Sequence, residues 1–330
     1  MKTPLWFYKL LSMAVFLVLV TTACSSGILG SSNLPPIRIF YTSWPGDYPL
    51  VLAAALGYYE KYGVNVELKD LTSYEDGLVD FLNHEVDTLN TKLTDAILIS
   101  QENEVQVVWL QDNSLSTILS VQTIATPEDL RGKRIGVDIG SGLGELVIDG
   151  VLLANHLTIQ DVILVDISPD AVPTALGKKI DAGYTWSPFT QQAVALGHKT
   201  LIQIPGFSPG VMIVRTSLVN ERPTDVNALI EAWSEAVDYW ESNPIESLNI
   251  IASYYNLPPD SLSLGVEEGI DTYSRQQNME AFTPGWSGSL YEIANLNLNY
   301  LVETGGIRRV SDINKLINWE FVGRAIQETD

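Results

Sequence analysis

Aromatic and acidic side chains stand where several predicted strands of this chain end. The set is Trp44, Asp47, Asp112, Tyr184 and Trp186. Because ligands of open α/β sheets bind at the carboxyl ends of the strands, these side chains are expected to line one cleft. They predict either an aromatic and acidic cage for a cationic amine or stacking walls for a flat heterocycle. The structural alternative is that Trp44 packs under a Pro-Gly turn and that Tyr184 and Trp186 belong to a core.

Polar residues and glycines follow the same strand ends. The candidates for hydrogen bonds to a ligand are Ser43, Thr91, Lys92, Asn113, Ser141 and Gly142. Lys92 is the only cation in these loops, and it either pairs with an anion or faces solvent. Thr91 or Thr94 is expected to cap the next helix. The turn over Gly140–Gly144 precedes a helix, whose N-terminal amides favour an anion, so the charge of the ligand stays open.

The first 24 residues have the pattern of an export signal. Lys2 and Lys9 precede an apolar stretch over Leu10–Val20, and Thr22-Ala23-Cys24 follows. A basic start, an apolar middle and small residues at the end indicate a signal peptide. This segment resembles a bacterial lipoprotein signal, which implies cleavage before Cys24 and lipidation of that cysteine, the only one in the chain. The alternative is an ordinary secreted protein with an incidental cysteine.

A Gly-Phe-Ser-Pro-Gly segment around Ser208 matches the pattern of a hydrolase nucleophile elbow. Pro209 lacks the backbone N–H that should help to form the oxyanion hole. Every histidine precedes Ser208, contrary to the order Ser, Asp, His of that class: His84, His156 and His198. The chain is therefore expected not to be an enzyme, and no catalytic residue, cofactor or metal site is predicted.

The net charge of the chain excludes some classes of binding partner. It has 19 Lys and Arg against 40 Asp and Glu, a formal net charge of −21. This balance argues against nucleic acid and against docking to anionic lipid through a basic patch. A folded part of roughly 300 residues exceeds the usual size of one core, so two lobes are expected.

Short apolar strands alternate with helices in the first two thirds of the chain. The predicted strands are Ile37–Thr42, Val64–Lys69, Glu85–Thr88, Val105–Leu110, Arg134–Asp138, Val162–Asp166, Asp181–Thr185 and Thr200–Ile204. From Asp225 onward helices dominate, including Val226–Ser242 and Leu290–Thr304. This alternation predicts an α/β fold with a mostly parallel sheet and helices on both faces.

An ordered series of segments resembles the solute-binding proteins of ABC importers, in the nitrate, sulfonate, taurine and bicarbonate branch that is called NMT1/THI5-like. The similar segments are Tyr41–Gly46, Ala54–Val64, Val86–Thr91, Pro127–Val137 and Ile180–Pro188. Together they span roughly residues 37–300. The resemblance implies a periplasmic-binding-protein type II fold, with two α/β lobes that close on a small ligand. Asp112–Thr117 departs from the turn usual at this place, so the resemblance leaves the ligand undefined.

The resulting expectation is a monomeric, lipid-anchored binding protein on the extracytoplasmic face of a membrane. The expected divisions are a signal peptide (1–23), a tether (24–36), lobe 1 (37–112), lobe 2 (113–205) and a return to lobe 1 with a helical end (206–330). It would deliver a sulfonate-like or a pyrimidine- or amine-like solute to an ABC permease. The alternatives are a solute-sensing module for a membrane receptor and, with less support, a thiamine-pathway enzyme on the same fold.

Overall fold

The strands of this protein are short segments rich in Ile, Val and Leu. The structure is a computed structural model that describes residues 34–42, 44–70, 74–139, 143–186, 189–205, 208–258, 262, 270–303, 305–307 and 312–324. Within these ranges the strands are β1 (Ile37–Tyr41), β2 (Val66–Asp70), β3 (Thr88–Lys92), β4 (Val105–Ser120), β5 (Arg134–Val137), β6 (Ile163–Asp166), β7 (Ala182–Thr185), β8 (Lys199–Pro205), β9 (Gly210–Arg215) and β10 (Ile270–Thr272).

Two mixed sheets share the long strand β4. In the first sheet the order is β2-β1-β3-β9-β4-β10, with β1 parallel to β2 and β3 and with β9 antiparallel to both of its neighbours. In the second sheet β4 pairs with β8 and β7, and β7, β5 and β6 run parallel. The carboxyl ends of the parallel strands in each sheet are therefore the places to look for a ligand site.

Helices cover the sheets, as the alternating pattern predicted. The helices are α1 (Tyr48–Ala55), α2 (Tyr58–Lys61), α3 (Tyr74–Leu82), α4 (Leu93–Ile99), α5 (Leu143–Ala154), α6 (Val172–Ala175), α7 (Phe189–Ala195), α8 (Thr216–Glu221), α9 (Pro223–Ser242), α10 (Pro244–Tyr254), α11 (Arg275–Ala281), α12 (Leu290–Glu303), α13 (Ile313–Leu316) and α14 (Glu320–Arg324). None of the helices in the described ranges is both long enough and apolar enough to cross a membrane.

The longest helix, α9, shows how the sequence specifies these elements. Pro223 occupies its first turn, where the missing N–H costs nothing, and Asp225 adds a negative charge near the positive end of the helix. Its buried residues recur every three or four positions: Val226, Leu229, Ile230, Trp233, Ala236, Val237 and Trp240. This spacing places one apolar stripe against α1 and α2, within the large apolar cluster, which anchors the helix to the core.

The apolar side chains form separate cores. The largest cluster surrounds the first sheet and includes Trp109, Trp233 and Phe81, all fully buried. Two smaller clusters surround the second sheet, one around Val147 and one around Ile180. Separate cores on either side of β4 are the physical basis of the two lobes.

β4 is much longer than predicted. The sequence pattern ended the strand at Leu110 because polar residues follow, yet β4 continues to Ser120. Those polar residues are buried rather than exposed: Gln111, Asp112, Ser116 and Thr117. In this polar stretch the backbone N–H and C=O groups of β4 pair first with β9 and then with β8. A search for apolar residues alone does not reveal such pairing.

β9 was absent from the sequence-based prediction. Its six residues, Gly210–Arg215, are all buried because the strand lies between β3 and β4. Such a strand has no alternation of polar and apolar residues, and a continuous apolar run of this length does not by itself distinguish a strand from a buried helix.

Candidate ligand-binding site

A cation, a carboxylate and an indole meet near the end of β3, the middle of β4 and the turn after β1. Gly210 of β9 lies between Lys92 and Asp112 in the sheet. Lys92 Nζ donates a hydrogen bond to Asp112 Oδ1 at 3.0 Å. Trp44 Nε1 lies 3.4 Å from Asp112 Oδ2, and Lys92 Nζ lies 5.6 Å from the centre of the Trp44 ring. The positive charge of Lys92 is thus shared between a carboxylate and an aromatic face.

Glycines allow the Asp112 carboxylate to fit into this cluster. Its side chain is only 1% exposed. A methyl group added to Gly210 or to Gly46 would overlap the carboxylate of Asp112. The backbone therefore approaches this carboxylate from two sides, and only glycine leaves the room that the approach requires.

Asp47 lies next to this cluster and is surrounded by protein donors. The backbone N–H and the hydroxyl of Thr42 donate to Asp47 Oδ2 at 3.0 and 3.1 Å. The amides of Asn90 and Gln111 donate to Asp47 Oδ1 at 2.8 and 2.7 Å. Burial raises the pKa of Asp47 to about 6, against the opposing effect of these hydrogen bonds. Asp47 ties β1, β3 and β4 together.

A second carboxylate, Asp95, lies near the start of α4 and has fewer donors. Tyr74 donates a hydrogen bond from its hydroxyl to Asp95 Oδ2 at 3.2 Å, and the Tyr74 and Thr91 hydroxyls contact each other. Burial raises the pKa of Asp95 to about 7. Hydrogen bonds from Tyr74 and Thr91 and the charge of Lys92 lower this pKa, and the negative charge of Asp138 raises it.

Asp138 and Tyr184 belong to the second sheet and interact electrostatically with Asp95. Asp138 follows β5, and Tyr184 is a buried residue of β7. Burial raises the pKa of Tyr184, and the negative charge of Asp95 raises it further. Asp95 on the first lobe therefore lies within electrostatic reach of two groups on the second lobe.

An aromatic stack continues from Tyr184 along the second lobe. The rings of Tyr184 and Trp186 meet edge to face with centroids 5.7 Å apart. Trp186 meets Phe189 in the same way at 6.4 Å. Trp186 is half-buried, whereas Tyr184 packs so closely against Gly144 that an added methyl group there would touch its ring. The stack leads from the end of β7 to the start of α7, and Tyr184 also packs against the start of α5.

The predicted site residues fall into three groups. Trp44, Lys92 and Asp112 form one contact cluster, Asp47 and Thr91 adjoin it, and Tyr184 and Trp186 stack on the second lobe. Asn113 is half-buried on β4, and within the described residues its Oδ1 is buried without a hydrogen-bond partner. The remaining predictions lie outside the described residues: Cys24, Ser43, Ser141 and Gly142.

Sequence reasoning missed Tyr74 and Asp95, and it named Asp138 only as the last residue of a predicted strand. Tyr74 and Asp95 lie in the first turns of α3 and α4, where an acid or an aromatic residue is read as part of the helix. A signal was present for Asp95, since Thr91 and Lys92 at the end of β3 lie within one turn of it. Proximity to a strand end, followed into the next helix, would have found it.

The predicted helix cap after β3 is wrong. Lys92 is the residue that precedes α4, and its side chain makes no capping hydrogen bond. Instead Ser208 Oγ accepts the backbone N–H of Thr94 at 2.9 Å, and the Thr94 hydroxyl donates to Asn297 Oδ1 at 2.6 Å. The serine of the Gly-Phe-Ser-Pro-Gly segment is buried against the start of α4, so its hydroxyl has a structural partner. Among the described residues no group of three or more His, Cys, Asp or Glu is arranged to hold a metal ion.

Comparison with known proteins establishes the family. The sequence profile of the family described as NMT1/THI5 like matches residues 44–247. The chain belongs to this family. A protein of Brucella abortus (strain 2308) whose name describes it as a binding protein is 24% identical over 252 residues, which are 71% of this chain and 76% of that protein.

Solved structures show that this NMT1/THI5-like protein has the periplasmic-binding-protein fold. The aliphatic sulphonate binding protein SsuA of Escherichia coli superposes with a TM-score of 0.67 and 16% identity, over 88% of this chain and 100% of that one. The nitrate-binding protein NrtA of Synechocystis PCC 6803 gives 0.69 and 14% over 90% of each chain. The predicted fold of two α/β lobes is confirmed.

An enzyme shares this fold as well. The desulfurization enzyme DSZB superposes with a TM-score of 0.66 and 17% identity, over 90% of this chain and 100% of that one. The fold alone therefore does not separate binding from catalysis, and function has to be argued from the site.

Proposed function

We propose that this protein is an extracytoplasmic solute-binding component of an ABC importer, held at the membrane by a lipid on Cys24. The signal-like segment before Cys24 supports the anchor, and the family and fold support solute binding. The anchor would keep the binding protein beside its permease and leave the lobes free to move.

Closure of two lobes around the ligand is the proposed mechanism. Lobe 1 would comprise 37–112 with 206–330, and lobe 2 would comprise 113–205. The chain would cross between them at the middle of β4 and between β8 and β9. A ligand that contacts both lobes shifts the equilibrium toward the closed form by its extra affinity for that form. The observation that carries this proposal is that ligand-type side chains lie at strand ends of both sheets, the cluster of Lys92, Asp112 and Trp44 on the first. On the second sheet Tyr184 stacks on Trp186.

The proposed ligand is a small organic molecule, either sulfonate-like or pyrimidine- or amine-like. A relative in Bacillus subtilis (strain 168) carries the name of an aliphatic sulfonates-binding protein, at 23% identity over 204 residues. The aromatic residues Trp44, Tyr184 and Trp186 favour an organic ligand over a small inorganic anion, because flat rings supply apolar area and stacking surface.

Binding without turnover is favoured by the surroundings of Ser208. Its hydroxyl accepts a hydrogen bond from the Thr94 backbone N–H and lies 2.8 Å from the Thr94 hydroxyl oxygen. In the part of the chain that the structure describes, no histidine is among its hydrogen-bond partners. A solute-sensing module for a membrane receptor remains the second candidate, because such a module would use the same lobe closure. A thiamine-pathway enzyme on this fold is the third.

Small-angle X-ray scattering with product analysis tests the proposal. The exported protein is mixed separately with sulfonates, nitrate, bicarbonate, pyrimidines and amines. A true ligand is expected to reduce the radius of gyration, to raise the melting midpoint by mass action and to be recovered unchanged. Chemical conversion of the solute, or no closure with any solute of the panel, would contradict solute delivery.

Lipid attachment is tested separately. The wild-type chain is expected to incorporate labelled fatty acid and to fractionate with membranes. The Cys24→Ser variant is the matched control and is expected to lose both properties while it keeps the closure response. Equal membrane association of the two proteins would refute the anchor and leave the solute-binding proposal intact.

A further inference from the structure

We propose that the ligand of this cleft is an organic cation, an ammonium or an amidinium, held between Asp95 of the first lobe and Asp138 of the second. This inference rests on the proposed solute-binding function and specifies the charge of its ligand. It follows from how Lys92, Asp112 and Asp95 are already partnered.

The positive charge at the cleft is already engaged by the protein. Lys92 Nζ lies 3.0 Å from the buried Asp112 and 5.6 Å from the centre of the Trp44 ring. Using Lys92 to hold a sulfonate would leave Asp112, which is 1% exposed, without its cationic partner. An uncompensated buried charge is strongly destabilising, so an anionic ligand gains little from Lys92.

Asp95 is the carboxylate with capacity left for a ligand. Within the described residues its hydrogen-bond donors are two hydroxyls, those of Tyr74 and Thr91. An ionised carboxylate has about four acceptor positions. A cation with N–H groups would add charge-assisted hydrogen bonds that these hydroxyls do not supply.

Closing the lobes brings like charges together. Asp138, directly after β5, raises the pKa of Asp95, and the charge of Asp95 raises the pKa of Tyr184 on β7. Lys92 on the first lobe opposes this effect only in part, because Asp112 is its ion-pair partner. A cation between the two carboxylates converts their repulsion into attraction, whereas an anion would add a third negative charge.

An aromatic surface continues from this place. Tyr184 is close enough to Asp95 to feel its charge, and its ring stacks on the half-buried ring of Trp186. Aromatic faces attract ammonium and amidinium groups and pack against the carbon part of such ligands. The cleft therefore combines two carboxylates with rings, which is the arrangement expected for an organic cation.

Matched pairs of probes test the inference by isothermal titration calorimetry. Butylammonium is compared with butanesulfonate, and benzamidinium with benzenesulfonate, each up to about 10 mM so that weak binding is detected. Both cations are expected to bind and to reduce the radius of gyration, and both sulfonates are expected to do neither. Affinity for the cations should rise about ten-fold from pH 6 to pH 8, as the competent ionised form of Asp95 becomes the major one.

Two variants assign the effect to the proposed residues. Asp95→Asn and Asp138→Asn should each weaken cation binding by at least about ten-fold, as expected when one charge-assisted hydrogen bond is lost. Asp95→Asn should also abolish the pH dependence while the protein stays folded by circular dichroism. Glu102→Gln removes an exposed carboxylate from the turn between α4 and β4, at the far end of α4 from Asp95, and should change neither property.

The outcomes separate the two proposals. Tighter binding of the sulfonates, no binding of either cation, or full cation binding by Asp95→Asn would each overturn the inference about charge. Closure around any other solute of the wider panel would then still support solute binding. Failure of every solute to close the lobes would remove both proposals.

Discussion

Two carboxylates of the first lobe, the buried Asp47 and the half-buried Asp95, differ in their hydrogen-bond donors. Asp47 accepts four hydrogen bonds from Thr42, Asn90 and Gln111. Asp95 accepts hydrogen bonds from the hydroxyls of Tyr74 and Thr91 and faces the negative charge of Asp138. The same chemical group thus serves to join strands in one place and, as we propose, to hold a ligand in the other.

The difference teaches how to separate a structural carboxylate from a binding one. A buried carboxylate surrounded by protein donors has its charge compensated before any ligand arrives. A carboxylate that has few hydrogen-bond donors and lies near a second negative charge lowers the stability of the folded protein until a ligand compensates its charge. Such destabilised groups are common at functional sites. Each of the following predictions perturbs one side of this comparison.

The largest effect is expected from Asp47→Ala. The substitution leaves four buried donors without their acceptor, so the free energy of unfolding should fall by about 4 kcal/mol. Urea denaturation measures this loss. Asp47→Asn, which keeps one acceptor oxygen, should lose less than Asp47→Ala. A loss below about 1 kcal/mol for Asp47→Ala would show that the four hydrogen bonds do not hold the strands together.

A somewhat smaller loss is expected from Lys92→Met. The substitution keeps the length of the side chain but leaves the buried Asp112 unpaired, so unfolding should become easier by about 3 kcal/mol. The double variant Lys92→Met with Asp112→Asn should regain much of this stability, because the uncompensated charge is gone. If the single and double variants have equal midpoints in urea, the ion pair does not neutralise Lys92 as described.

A gain in stability is expected from Asp95→Asn. The pKa of Asp95 is raised to about 7 by burial and by Asp138, whereas an unfolded Asp titrates near about 4. The folded state therefore holds a proton that the unfolded state has lost, and wild-type stability falls as the pH rises from about 4 to about 7. Three pKa units correspond to about 4 kcal/mol, and the half-buried carboxylate is partly screened by water. At pH 8 the variant, which has no such charge, should therefore be more stable by about 2 kcal/mol.

Thermal unfolding from pH 4 to pH 8 measures this gain. The difference between the variant and the wild type should be largest above pH 7 and should shrink toward acid. Glu102→Gln, which removes an exposed carboxylate, is the control and should track the wild type at every pH. An Asp95→Asn variant less stable than the wild type at pH 8 would contradict a strained carboxylate.

The sequence predicted the fold well and the site in part, for physical reasons. Trp44 follows β1 and Lys92 ends β3, so the rule that ligands bind at strand ends identified both before their contacts were known. Asp112 was named because the predicted strand ended too early, and it lies in the middle of β4. Asp95 was missed because an acid in the first turn of a helix has an ordinary explanation in the helix dipole. Its importance depends on Asp138, which is distant in the chain and becomes a neighbour only through the tertiary fold.

The structural predictions failed where partners come from far along the chain. The first-turn amide of Thr94 is satisfied by Ser208 rather than by a neighbouring side chain, so local capping rules predicted the wrong partner. β9 was missed because a strand enclosed on both sides has no alternating pattern. In each case a contact between distant segments replaced the local signal on which the prediction depended.

The ionisation of Asp95 tests the comparison most directly. Carbon-13 NMR of the aspartate carboxyl groups, assigned with Asp95→Asn, gives its pKa with and without butylammonium. We predict a pKa near 7 in the free protein and a fall of at least one unit when butylammonium binds, because the cation stabilises the ionised form. A pKa in the usual range of aspartate that butylammonium leaves unchanged would contradict the assignment of Asp95 as the ligand's carboxylate.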